Sequence, residues 1–321
     1  MKRRVLVTGA TGFVGGHVMR RLLQEPDVEV IAGVRKANVA LPPYVKTLVM
    51  GDLAEVEDQP SLEGIQTVIH CAARVHIMND PSAHPLREFR KANVQGTLQL
   101  AQKAVDAGVK RFVFLSSIKV NGEGTDGRAP YSADEIPTPV DAYGLSKLEA
   151  EQALLTLAFE TGMEVSIIRP VLVYGPGVRA NFLSMMRWLL KGVPLPLGAI
   201  HNKRSLVALD NLVDLIRVCT DHPRAVNQVF LVSDGNDLST PQLMRKMAIA
   251  LGCNAMLVPI PTLILRAGAK LLGRAAVADR LCGSLQVDIT KTQELLDWKP
   301  PVTVEQALLQ TANHYLELLK A

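Results

Sequence analysis

Val5-Leu6-Val7-Thr8-Gly9-Ala10-Thr11-Gly12-Phe13-Val14-Gly15 is the stretch on which the reading of this chain turns. A short β-branched apolar run ends at a glycine, glycines follow at every third position, and a helical pattern then takes over. Each glycine has a separate task. Gly9 permits a tight turn at a strand end, Gly12 lets backbone N–H groups approach a pyrophosphate, and Gly15 lets helix and strand pack closely. A strand before and a helix after make the loop an anion cradle at a helix N-terminus, with Thr11, Phe13 and Val14 completing it.

Outward from that loop the chain alternates two hydrophobic periods. Val5–Val7, Val28–Val34, Thr47–Met50, Val68–Ala72, Phe112–Leu115, Val165–Ile168 and Val229–Val232 are short runs, apolar nearly throughout, as strands buried on both faces require. Between them Gly12–Gln24, Pro85–Ala107 and Ala142–Thr161 are long enough for crossover helices and place apolar residues at i, i+3 and i+4. The pattern predicts an α/β fold, a doubly wound parallel (Rossmann) sheet. After Tyr174, Gly175-Pro176-Gly177 punctuates the chain and helical patterns dominate, so a smaller, mainly helical lobe is expected over 175–321 beside a first domain of 1–174. Because Val229–Val232 has central-strand character, the segment around 205–235 is expected to return to the first sheet.

The 321 residues, 48% hydrophobic and 21% charged, suffice for about two globular domains. The 35 Lys and Arg exceed the 31 Asp and Glu by only four charges, with two Trp, five Tyr and seven Phe, which argues against nucleic acid as a partner. Cys71, Cys219, Cys253 and Cys282 form no CxxC pair, so neither a metal site nor a redox dithiol is expected. Met1-Lys2-Arg3-Arg4 imitates the basic end of a signal peptide, yet only three apolar residues follow before Thr8, so a cytoplasmic location is expected. No integral membrane segment is expected either. Leu257–Gly273 comes nearest, but Arg266 and Lys270 interrupt it, and it reads as a helix of the smaller lobe, with membrane-surface contact as the alternative.

In a dinucleotide-binding unit the residue about 20 positions beyond the last glycine reads the adenosine ribose. Counting from Gly15 reaches Arg35, followed by Lys36, where an acid would select NAD. A guanidinium grips a 2'-phosphate with two parallel bonds, so NADP(H) is favoured and NAD(H) remains possible. Asp52, in Gly51-Asp52-Leu53 after the third strand, is a candidate acceptor for the adenine amino group, with a turn residue as the alternative.

Ser116-Ser117 stands at the C-terminal end of the run Phe112–Leu115, the edge where such sheets bind ligands. Further on, Tyr143-Gly144-Leu145-Ser146-Lys147 puts a phenol and an ammonium at i and i+4 on one helix face, where the charge should favour phenolate. A phenol so adjusted exchanges a proton with an alcohol or a ketone.

Together these segments make the chain resemble the extended short-chain dehydrogenase/reductases, the NAD(P)-dependent sugar-nucleotide epimerases, dehydratases and reductases. The resemblance spans essentially the whole chain. It also rests on His70-Cys71-Ala72-Ala73, Asn93-Val94-Gln95-Gly96-Thr97 and Arg169-Pro170-Val171-Leu172-Val173-Tyr174-Gly175-Pro176-Gly177. It implies Tyr143 as acid/base, Lys147 on the nicotinamide ribose and Ser117 on the reacting sugar oxygen. Leu53, Ala72, Ala73 and Asn93 join the cofactor set, Asn93 as a brace for the active-site helices. Asn181 resembles the asparagine that opens the substrate helix, Arg204 resembles the arginine that clasps the nucleotide diphosphate, and Arg280 is a second phosphate candidate. A UDP-sugar is the implied partner and a homodimer the implied assembly.

Where dehydratases of the family carry an acid after the strand-end serine or threonine, this chain has Ile118-Lys119, which counts against elimination of water. The stretch Ser116-Ser117-Ile118-Lys119-Val120-Asn121-Gly122-Glu123 is similar to 4-reductases of bacterial surface-polysaccharide synthesis. With Arg35 it favours NADPH-dependent reduction of a UDP-4-keto-6-deoxy-N-acetylhexosamine. The alternative is a UDP-hexose 4-epimerase with retained NAD. A catalytically silent NADP-sensing protein is disfavoured because Tyr143 and Lys147 are both present.

Overall fold

A computed structural model describes residues 2–55, 60–75 and 84–320; Met1, part of the basic N-terminal stretch, lies outside the described residues. The strands are β1 (Arg3–Thr8), β2 (Val28–Val34), β3 (Lys46–Val49), β4 (Thr67–His70), β5 (Arg111–Leu115), β6 (Glu164–Pro170), β7 (Leu172–Tyr174), β8 (Leu206–Ala208) and β9 (Gln228–Val232). Seven of these form one sheet in the order β3-β2-β1-β4-β5-β6-β9, every neighbouring pair parallel. The strand order reverses at β1 and β4, the crevice where doubly wound sheets take their ligands.

The helices are α1 (Phe13–Leu22), α2 (Pro85–Phe89), α3 (Gly96–Asp106), α4 (Ala142–Thr161), α5 (Ala180–Leu190), α6 (Leu209–Cys219), α7 (Thr240–Ala250), α8 (Thr262–Leu271), α9 (Ala275–Cys282), α10 (Thr290–Leu296) and α11 (Val304–Lys320). α1 packs with α6 and α3 with α4, each pair contributing to one of two cores. Val5, Val68, Phe112 and Ile167 are shielded completely, which is why the strands read as unbroken apolar runs. Asp141 caps α4, its Oδ1 accepting from Gly144 N at 2.6 Å, and Gly162 ends the helix in the left-handed region.

The stretch Pro85–Ala107 is helical but not uniform: a π-helical segment, Arg90–Gln95, separates α2 from α3. Insertions of this kind re-aim side chains, and this one carries Asn93.

A third core gathers Tyr174, Phe182 and Met186 with residues of α7 and α11. β7 and β8 pair parallel apart from the main sheet, whereas Gln228–Val232 hydrogen-bonds to β6 inside it. The helix read over Leu257–Gly273 is shorter than expected and begins at Thr262. Pro259 and Pro261 stop it from starting earlier, and Val258 is instead held in extended backbone, its N–H donating to Leu195 O at 2.8 Å. No helix among the described residues is long and apolar enough to cross a membrane.

Candidate functional site

β1 delivers the chain into the glycine loop at Gly9, whose φ of +67° belongs to the left-handed region. Gly12 N donates to Gly9 O at 2.8 Å, and α1 begins one residue later with no side chain capping its first turn. A Cβ on Gly15 would lie 2.3 Å from Gly9 O, and one on Gly9 would lie 2.8 Å from Ala72 N. The loop is therefore compressed between α1 and the backbone leaving β4, with room for no side chain at either position. Its open helix N-terminus and bare backbone suit a dinucleotide pyrophosphate. Thr11 is exposed, Phe13 and Val14 are half-buried, and Ala72 and Ala73 follow β4 beside the loop. Gly15→Ala is expected to destabilise the loop by about 1–3 kcal/mol through overpacking. The dinucleotide released on denaturing the purified variant should fall accordingly, and full retention would contradict the cradle.

Beneath the loop, His70 at the end of β4 is completely buried. Its Nδ1 meets Thr8 Oγ1 at 2.7 Å and its Nε2 meets Thr97 Oγ1 at 3.0 Å, tying β1, β4 and α3 together. Burial, assisted by the Lys147 charge, pushes its pKa down to about 3, so the imidazole is neutral. Unfolded, it titrates near 6.5, so between about pH 3 and 6.5 the unfolded chain binds the extra proton and stability rises with pH. Acidifying from pH 7 to 5 should therefore cost stability with a slope approaching 1.4 kcal/mol per pH unit from this residue. Urea unfolding of the wild type and His70→Asn at both pH values reads the difference; equal slopes would refute it.

Arg35 and Lys36 stand exposed just beyond β2, and neither forms an ion pair with the described residues. Asp52 is exposed, and its Oδ1 accepts from Ala54 N at 3.0 Å, the turn alternative of the sequence reading. Leu53 rests against Gly96 where the π-helical segment passes into α3. Asn93 is buried with both ends of its amide engaged: Oδ1 accepts from Arg74 N at 2.8 Å, while Nδ2 donates to Arg74 O and to Ser146 Oγ, each at 3.0 Å. It thus braces the segment after β4 against α4.

α4 carries Tyr143, Lys147 and Glu151 on successive turns of one face, towards the C-terminal ends of β5 and β6. Ser117, just past β5, hydrogen-bonds with the Tyr143 phenol. The phenol is nevertheless pushed up to about 12, by burial first and by the Asp141 charge second, with the Ser117 bond pulling the other way. The expectation that Lys147 favours phenolate is thus corrected for the chain by itself. Lys147 donates to Leu115 O at 2.8 Å and lies 4.4 Å from the centre of the Phe114 ring. Burial lowers its pKa to about 8.

One helical turn further along, sequence reasoning missed a buried network. Arg169 on β6 forks onto Glu151, Nη2 to Oε2 at 2.6 Å and Nε to Oε1 at 3.0 Å, with the side chains only 4% and 2% exposed. Ser116 Oγ donates to the same carboxylate, and Arg169 Nη1 donates to Asn121 Oδ1 at 3.0 Å. The i+8 spacing of Glu151 from Tyr143 was the available signal.

A cavity of about 780 Å³ brings together Ser117, Tyr143, Asn181, Arg204 and Arg280, a volume within the usual range for small-molecule sites. Lys147 is buried and is not among its lining residues. The remaining wall is mainly apolar, with Val171, Leu172, Met185, Trp188, Leu195 and Leu243. Arg204 lines the cavity while its Nη1 donates to Arg280 O at 2.9 Å and Gly283 O at 3.1 Å, which anchors it to the end of α9. Glu123 also lines the cavity and pairs with Lys119, which pairs in turn with Asp141. Among the described residues no cluster of His, Cys, Asp and Glu could hold a metal ion, and the four cysteines are unbridged.

Comparison with known proteins agrees with this arrangement. Over 319 residues the chain is 49% identical to a UDP-glucose 4-epimerase of Vibrio cholerae, covering 99% of this chain and 97% of that one. It is 25% identical to the N-acetyl-α-D-glucosaminyl-diphospho-ditrans,octacis-undecaprenol 4-epimerase of Escherichia coli O157:H7, with 98% and 96% covered. The solved structure of MoeE5 in complex with UDP-glucose and NAD superposes with a TM-score of 0.77 at 27% identity, covering 98% of this chain and 99% of that one. The profile of the NAD dependent epimerase/dehydratase family matches residues 5–233, and the chain belongs to that family of sugar-nucleotide enzymes.

Proposed function

We propose that the protein interconverts the C4 epimers of a UDP-hexose, UDP-glucose or UDP-N-acetylglucosamine, with NAD retained between turnovers. The observation that carries this reading is the 49% identity, over nearly the whole chain, to a UDP-glucose 4-epimerase. It replaces the 4-reductase reading as the preferred one. That expectation leaned on the Ser116–Glu123 stretch and on Arg35, which is exposed and forms no ion pair with the described residues.

The Gly9–Gly15 cradle would hold NAD, which would supply reversible hydride transfer at C4. Tyr143, protonated in the chain by itself, would have to lose that proton once the positively charged oxidised nicotinamide is bound beside it; as phenolate it takes the proton of the C4 hydroxyl as that carbon is oxidised and gives it back on reduction. Ser117, hydrogen-bonded to the same phenol, holds the C4 oxygen in place. Lys147 positions the ribose and supplies positive charge below its pKa of about 8. Arg204 and Arg280 meet the diphosphate, a forked cation being suited to paired phosphate oxygens, and Asn181 adds a polar contact from the same cavity lining. Inverting C4 requires the keto sugar to present its other face. The apolar wall around Met185, Trp188 and Leu195 gives it few directional holds.

The test uses purified protein with no added cofactor. UDP-glucose should come to equilibrium with UDP-galactose, or UDP-N-acetylglucosamine with its C4 epimer, and denaturation should release NAD, identified by mass. Absence of both interconversions, with NADPH consumed on UDP-4-keto-6-deoxy-N-acetylglucosamine, would overturn the proposal and restore the reductase.

A further inference from the structure

α8 buries none of its ten residues. On the helical wheel Leu263, Ala267, Leu271 and Ile264 fall within an arc of roughly 100°, and Lys270 and Arg266 border that arc on one side. Leu263 is 82% exposed and Leu271 88%, with Ile264 and Leu272 open as well. From Leu238 to Ala278 the chain contains no Asp or Glu, while Arg266, Lys270 and Arg274 stand in and just after α8. Arg266 reaches Asp126 and Asp279 at about 4 Å, whereas no ion pair joins Lys270 or Arg274 to the described residues.

An exposed apolar arc edged by cations, whose nearest acids, Asp126 and Asp279, face Arg266 while Lys270 and Arg274 carry no such counter-charge among the described residues, has the charge and shape that an anionic bilayer complements. We infer that α8 docks on the surface of an anionic lipid bilayer, with Leu263, Ile264 and Leu271 entering the interface and Lys270 and Arg274 meeting lipid phosphates. The following helix continues the surface to the active cavity: Val277, Arg280 and Leu281 of α9 line it, as does the half-exposed Trp188 of α5. Docking therefore brings the cavity mouth towards the headgroup layer, where an amphiphilic substrate would be within reach. The inference does not depend on the reaction proposed above.

The test is co-sedimentation of the full-length chain with phosphatidylglycerol vesicles and with phosphatidylcholine vesicles. The wild type should pellet with the anionic vesicles, release in high salt, and stay in solution with the neutral ones. Lys270→Glu combined with Arg274→Glu should weaken binding at least about tenfold, and Leu263→Gln combined with Leu271→Gln should remove it. All four positions are exposed, so thermal midpoints should match the wild type and separate lost binding from lost folding. Failure of the wild type to pellet with anionic vesicles would overturn the inference. So would self-association by light scattering that Leu263→Gln with Leu271→Gln abolishes while vesicle binding persists, since the face would then belong to a second copy of the chain.

Discussion

Tyr143→Phe is expected to lower kcat for C4 interconversion by about 10³-fold, with KM and bound dinucleotide close to wild type. The substitution removes one oxygen and leaves the ring, which packs edge-on against Phe89 at 5.9 Å between centroids, so the site should not collapse. What disappears is the group proposed to take and return the C4 hydroxyl proton. In the chain by itself the phenol is held protonated near 12, and Ser117 is the hydrogen-bond partner opposing that rise. A residual rate above a tenth of wild type would move the proton role elsewhere, and Glu123, which lines the same cavity, would be the next group to substitute.

The second large effect falls on stability. Glu151→Ala should destabilise the fold by about 3–5 kcal/mol, because it leaves the Arg169 guanidinium buried without its counter-charge. Asn121 remains as a partner for one nitrogen, and Ser116 loses its acceptor. Glu151→Gln should cost less, since the amide oxygen still accepts from Arg169, though without the charge. Urea unfolding measures both. A loss below about 1 kcal/mol for the alanine variant would show that the pair is solvated as surface pairs are. Because Ser116 precedes Ser117, a secondary fall in kcat is expected from a loosened β5 end.

Much of this architecture is legible before any coordinates. Seven apolar runs become the seven strands of one sheet, the inner ones because parallel strands buried on both faces have no polar positions to break the run. β3, at the sheet edge, is mostly exposed and not buried on both faces as its run suggested. Ala142–Thr161 is helical over that whole span, with an Asp before it and a Gly after it, so its ends are written in local capping chemistry. Tyr143 and Lys147 could be paired by helical spacing alone. The extent of α8 was less legible: the apolar pattern over Leu257–Gly273 suggested helix throughout, and the two prolines, present in that same stretch, were given too little weight.

Protonation states and partners lie beyond such reading. The i, i+4 spacing of Tyr143 and Lys147 suggested an ammonium acting on the phenol, yet the ammonium donates to Leu115 O, a carbonyl brought there by β5. Glu151 and Arg169 look like an ordinary helix carboxylate and strand-end cation until packing removes water from both. Arg35 showed a charge at a meaningful distance from Gly15, and folding left it exposed just beyond β2.

By itself, then, the sequence determined what is local and periodic: the strand runs, the glycine spacing of the cradle, the capped α4 and the residue types on the face that carries Tyr143 and Lys147. Only the tertiary structure decided which distant segments meet, bringing Ser117, Tyr143, Asn181, Arg204 and Arg280 around one cavity, setting Glu151 against Arg169, and leaving α8 uncovered. The physical reason is that chain geometry repeats over a few residues and can be read there, whereas burial and charge pairing depend on neighbours that folding alone supplies.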